Sequence, residues 1–178
     1  MPIAASSAAA SPAARRSAPP WRLTFLLGFH ALLAGGFIVA WMSGDEDFYR
    51  IHLVAGYAVI IALTARFAAG FLSAKGPLAW PRPSRAAAVA WIKAALAGDR
   101  RAQAARSPLL HWASAVLLAT VGAAAFSGLA ADSLPMFEDL HEFFADLALA
   151  AVIGHVLLML GLAGLKKAAG QSSSHYGG

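Results

Sequence analysis

The sequence predicts an all-α integral membrane protein, a bundle of four transmembrane helices with both termini on the cytoplasmic side. Three observations lead there. Of the 178 residues, 59% are hydrophobic and only 13% charged, with a mean hydropathy of +0.62, outside the usual range of a soluble globule. The apolar residues fall in four runs of about 20, each long enough for a hydrocarbon core of roughly 30 Å. Twelve of the fourteen basic residues lie on one side of those runs.

Residues 1–20 are mostly Ala, Ser and Pro, with Arg15 and Arg16. Such a segment cannot bury enough apolar surface to order itself, so a disordered cytoplasmic tail is expected. The apolar run that follows is too long for a signal-peptide core and lacks a small-residue cleavage site, so it is read as retained. The spans are placed at 21–42, 51–72, 109–131 and 140–165, within one domain over 21–167, and a second disordered tail is expected over 168–178. Helices are required because lipid offers no water to backbone N–H and C=O groups. Trp21, Trp41 and Trp112 stand at span ends, where aromatic rings favour the interface. Between spans two and three, residues 84–97 read as a further helix, with Ser84 as cap and Gly98 as stop. Trp91 and Ile92 beside Arg85 and Lys93 place this helix on the cytoplasmic leaflet, against membrane lipid.

The connections fix the expected orientation. Arg15, Arg16 and Arg22 precede span one, Lys75, Arg82, Arg85, Lys93, Arg100, Arg101 and Arg106 fill the long connection, and Lys166 and Lys167 follow span four. The short connections carry Asp45, Glu46 and Asp47, then Asp132, Glu138, Asp139 and Glu142, against the single Arg50. The positive-inside rule puts the acidic connections outside and both termini in the cytoplasm, as in a bacterial inner membrane. The pI near 10.1 is therefore a topology signal, and nucleic acid is not an expected partner. The absence of cysteine excludes disulfides, thiolate metal sites and iron–sulfur clusters held by this chain.

Four histidines fall at informative depths. His52 and His141 open spans two and four at their outer ends. His30 lies twelve residues from the outer end of span one, roughly 18 Å down at the helical rise. His155 follows His141 by fourteen residues, about 21 Å deeper and within about 40° of the same face. Two pairs at two levels are expected: His52 with His141, and His30 with His155. One histidine in a membrane helix is more often a hydrogen-bonded packing residue than a ligand. Four at matched depths on three helices are a different matter, because polar groups in a span are costly.

The chemistry narrows further. Zinc or a di-iron carboxylate centre would want its His and carboxylate ligands clustered at one level, and copper would want added Met or Cys. Two imidazoles from facing helices suit the axial positions of a six-coordinate haem, which then transfers electrons rather than activating oxygen. No C-x-x-C-H is present, so the haem would be non-covalent b-type. Gly35, Gly36, Gly56, Gly154 and Gly161 lie near these histidines and would let a flat macrocycle approach. Arg66 lies fourteen residues after His52 on the same face. It is read either as a partner of the inner haem propionates or as snorkelling to the headgroups. His111 opens span three, as an interfacial residue or a proton-transfer group at a quinone site. His175 sits in the tail with no expected role.

The pattern resembles the bacterial membrane cytochromes b that include cytochrome b561 and the cytochrome b subunits of nickel–iron hydrogenases and formate dehydrogenases. The resemblance spans roughly 22–167. It rests on His30, on HLVAGYAVIIALTARFAAGF from His52 to Phe71, and on His141 with His155. It implies a four-helix core with two b haems, the outer held by His52 and His141 and the inner by His30 and His155, with Arg66 close to a haem. Members often carry Trp just after the first histidine, Arg three residues before it, and Gly-His-Asn-Pro ahead of span three. Here those positions read Ala31, Leu27 and Ala105-Arg106-Ser107-Pro108.

The expected function is electron relay between the quinone pool and a periplasmic partner, such as a c-type cytochrome or a dehydrogenase subunit, by a monomer or homo-oligomer. The rival expectations are a stand-alone quinone-linked oxidoreductase, for example from superoxide to quinone, and a cofactor-free membrane anchor.

Overall fold

The structure, a computed structural model, describes residues 20–73 and 78–174. The expectations for residues 1–19, for Lys75 and for His175 lie outside these residues. The described residues form six helices: α1 (Pro20–Met42), α2 (Tyr49–Leu72), α3 (Arg85–Leu96), α4 (Arg100–Ala104), α5 (Leu109–Ala131) and α6 (Glu138–Ser174). Four of them, α1, α2, α5 and α6, are long and apolar enough to cross a membrane. The chain is a multi-pass, all-helical membrane protein.

Some hydroxyls of α2 and α5 are satisfied by the backbone of their own helix. Thr64, Ser114 and Thr120 each donate to the carbonyl four residues back, at 2.8 to 3.0 Å, so these three hydroxyls are not left bare toward lipid. Large apolar side chains on the outer faces, such as Leu27, Ile61, Leu157 and Leu160, stay exposed. In water they would be a liability; in a bilayer they meet acyl chains.

The helices pair as two hairpins, α1 along α2 and α5 along α6, which meet mainly through α2 and α5. The core between them is built from Phe37, Val59, Leu63, Val121, Ala124 and Ala148. Lipid is as apolar as leucine, so close packing rather than the hydrophobic effect must hold such helices together. Small residues permit it: a Cβ on Gly36 would stand 3.1 Å from Val59 Cγ2. Gly36 is thus a helix-packing residue facing α2.

One end of the bundle is acidic. A 3-10 turn at Glu46–Phe48 links α1 to α2, and another at Pro135–Phe137 links α5 to α6. Both run directly into the next helix, so α2 and α6 each begin two residues before the expected positions 51 and 140. Tyr49 Oη donates to Asp132 Oδ1 at 2.9 Å and ties the two hairpins together there.

The other end is basic. Ser84 caps α3 by accepting from Ala87 N–H at 3.3 Å, and α3 folds back on the short α4, which packs against α6. The tail expected to be disordered from 168 is corrected over 168–174, which continue α6 to Ser174. Lys166-Lys167-Ala168-Ala169 are good helix formers, and extending an existing helix carries no nucleation cost.

Candidate functional site: two histidine pairs

The structure brings His52 of α2 to His141 of α6, with ring centroids 5.9 Å apart and ring planes at 76°. It brings His30 of α1 to His155 of α6, with centroids 6.5 Å apart and planes at 65°. These are the pairs that the helical rise sets at common depths. α6 supplies one member of each, because a separation of fourteen residues returns to nearly the same face.

The outer pair is held by backbone carbonyls. His52 Nδ1 lies 2.8 Å from the carbonyl oxygen of Ala40, in the last turn of α1, where carbonyls lack partners within the helix. His141 Nδ1 lies 3.0 Å from the carbonyl oxygen of Ala124 on α5. A carbonyl can only accept, so both Nδ1 atoms carry the proton and both Nε2 atoms carry the free lone pair. That is the tautomer a metal ligand needs, set by neighbours that also fix the ring orientation.

Gly128 makes room for it. A Cβ there would stand 2.8 Å from His141 Cε1 and 3.0 Å from Nδ1, so the imidazole lies flush on α5 only because this residue has no side chain. The inner pair is bare by comparison. His155 Nδ1 is buried without a hydrogen-bond partner, and His30 is exposed.

The spacing suits a shared metal. A first-row metal bonds an imidazole nitrogen at about 2.0 Å and that nitrogen lies about 1.1 Å from its ring centroid, so two imidazoles on opposite sides of one ion have centroids roughly 6.2 Å apart. Both observed separations are close to this. Among the described residues no three His, Asp or Glu side chains gather at one place, so a metal held by either pair would have to take its remaining ligands from elsewhere. Compared with models of protein families, with curated proteins and with solved structures, the chain matches none.

Space for a planar ligand is consistent with the glycines. A Cβ at Gly35, Gly56, Gly154 or Gly161 would meet nothing within 4 Å. α1 and α6, which carry the inner pair, approach each other at few points along their backbones.

Arg66 makes contacts that neither expectation names. It is 7% exposed, with Nη1 donating to the carbonyl of Leu78 at 2.9 Å and Nη2 to that of Ala79 at 3.2 Å. Its guanidinium lies 5.9 Å from the centroid of the Trp80 ring, which stacks on Phe67 at 5.4 Å and meets Phe71 edge-on. Gly70 admits the ring: a Cβ there would be 2.9 Å from Trp80 Cε2. Arg66 therefore straps the segment after α2 across the basic end of the bundle. Snorkelling is corrected, and any propionate contact is limited to the N–H groups that the two carbonyls leave. Exchanging Arg66 for Met is expected to cost about 1–3 kcal/mol by stranding the two carbonyls. Arg66→Lys should not restore it, because an ammonium lacks the two-pronged fork; thermal unfolding in detergent, followed by Trp fluorescence, reads both. His111 stands exposed at the start of α5.

Sequence reasoning missed the carbonyls of Ala40 and Ala124, the clearance at Gly128, the Tyr49–Asp132 bond and the Arg66 strap. Only Gly70, one turn after Arg66, and Gly128 left any mark in the sequence.

Proposed function

We propose that the chain is a di-haem b-type cytochrome of a bacterial inner membrane that relays electrons between the quinone pool and a redox partner at its acidic end. The observation that carries this is the two imidazole couples, 5.9 and 6.5 Å between centroids, at two depths of one bundle. His52 and His141 would hold the outer haem, and His30 and His155 the inner one. The donor set fits: two neutral imidazoles and no carboxylate or thiolate supply the two axial positions and leave four to a macrocycle. The Nδ1 of His155 is buried with no hydrogen-bond partner among the described residues, so no bond within them competes for that nitrogen. Bound haem iron supplies a one-electron carrier with no open position for substrate.

The chain's residues do the positioning. The carbonyls of Ala40 and Ala124 hold the outer imidazoles in the ligating tautomer, and hydrogen bonds of this kind also raise ligand basicity. Acidic residues at 45–47 and 138–139 would present a complementary face to a basic partner, such as a c-type cytochrome or a dehydrogenase subunit. The charge asymmetry supports a periplasmic position for that face and a cytoplasmic one for both termini. Quinone is the membrane-soluble partner. The resemblance to cytochrome b561 and its relatives supports the same reading.

The test is a reduced-minus-oxidised spectrum of detergent-purified protein, expressed with haem available and quantified as the pyridine haemochrome. Two b haems per chain are expected. A colourless, folded protein would overturn the proposal in favour of a cofactor-free anchor.

A further inference from the structure

The roll of α3 about its axis is fixed from within the protein. Trp91 Nε1 donates to the carbonyl of Ala102 at 2.9 Å, and Gln103 Nε2 donates to the carbonyl of Ala95 at 3.0 Å. The face carrying Trp91 and Ala95 is thus held on α4, and Ala88 on the same side is buried. Since α4 packs on α6, α3 cannot turn without breaking a connection to the bundle.

That roll leaves a different face uncovered. Val89, Ile92 and Leu96 fall within about 60° of one another on a helical projection, and they are 51%, 39% and 84% exposed. Arg85 lies in line with this stripe and Lys93 beside it, both exposed. α3 contains no acidic residue. The nearest carboxylate along the chain, Asp99, is engaged in capping α4 through the N–H groups of Arg101 and Ala102. The stripe therefore presents apolar side chains flanked by two cations that no carboxylate among the described residues is shown to pair. The segment bearing it joins α2 to α5, two membrane-crossing helices, at the same end of the bundle.

We propose that α3 is an interfacial anchor for anionic phospholipid. Val89, Ile92 and Leu96 enter the acyl layer of the adjoining leaflet, while Arg85 and Lys93 take headgroup phosphates. Long basic side chains reach outward from a buried stem to the phosphate level, and an apolar face bordered by Arg and Lys is what such a leaflet attracts. This turns the expected contact of Trp91 with the membrane around: Trp91 faces α4, and the three aliphatic residues face lipid. The inference does not depend on haem.

The chain has no cysteine, so one introduced thiol can carry a nitroxide label without background. Leu96→Cys would be compared with Ala87→Cys, which lies on the far side of α3 and is also exposed. The readout is collision with oxygen, which partitions into lipid, against a water-soluble nickel chelate. In vesicles of phosphatidylcholine with phosphatidylglycerol, the oxygen-to-nickel ratio should be several-fold higher at 96 than at 87. It should fall toward the value at 87 in phosphatidylcholine alone, and again in the Arg85→Gln, Lys93→Gln double variant. Free access of nickel at 96 would put the stripe in water and overturn the proposal. A label at 96 shielded from both reagents would mean that a second copy or a protein partner covers it, with the same result. A ratio unchanged by lipid charge and by the double variant would remove the anionic headgroup from the inference.

Discussion

Replacing His155 with Ala should reduce the haem content of the purified protein from two per chain to one, with the remaining haem in the outer pair. His155 is the only contribution of α6 to the inner pair, and one imidazole from His30 is not enough to keep a bis-histidine haem. The outer pair lies about 21 Å away along α6 and draws its orientation from Ala40 and Ala124, which the substitution leaves untouched. The apo-bundle should not suffer, because the exchange deletes a buried nitrogen that has no hydrogen-bond partner and puts the best helix former in its place. Unchanged stability of the haem-free protein together with half the haem is the expected combination. Two haems retained in the variant would sink the pairing. Loss of both would mean that the two sites assemble as one unit.

The spans could be read in the sequence because a bilayer removes the alternatives: an uncharged run of this length has only a helix available to it. The pairing of histidines could be read for a related reason. A straight helix has a fixed rise and a fixed turn, so the fourteen residues from His141 to His155 translate into both a depth and a direction. No comparable rule links a side chain to a carbonyl on another helix. Every residue carries a C=O, and nothing in the letters marks Ala40 or Ala124 as the ones that meet an imidazole. Arg66 was harder again. Its depth and face were legible, but its partners Leu78 and Ala79 sit in a loop whose path depends on how Trp80 packs between Phe67 and Phe71. The helix ends were missed by a few residues because the 3-10 turns before α2 and α6 continue straight into helix, where composition alone suggested a loop.

Gly128→Ala is expected to weaken the outer haem site selectively, by about 10–100-fold in haem affinity, the usual cost of disturbing a group that orients a metal-bound histidine. The new methyl would lie 2.8 Å from His141 Cε1, well inside the roughly 3.5–4.0 Å at which carbon atoms pack. Either the imidazole swings off α5 or α5 and α6 move apart. A swing lengthens the bond from Nδ1 to the carbonyl of Ala124, now 3.0 Å, and frees the proton to move to Nε2, which removes the lone pair a ligand needs. Separation of the helices instead disturbs the packing of Ala124 and Ala148 in the core, and overpacking of that kind costs about 1–3 kcal/mol. The two routes can be told apart. If the ring moves, the outer haem weakens and its reduction potential shifts, while thermal stability of the haem-free protein changes little. If the helices move, stability falls and both haems suffer. A Gly128→Ala protein with both haems bound as tightly as before, and at unchanged potentials, would show that His141 does not need the surface of α5 to serve as a ligand.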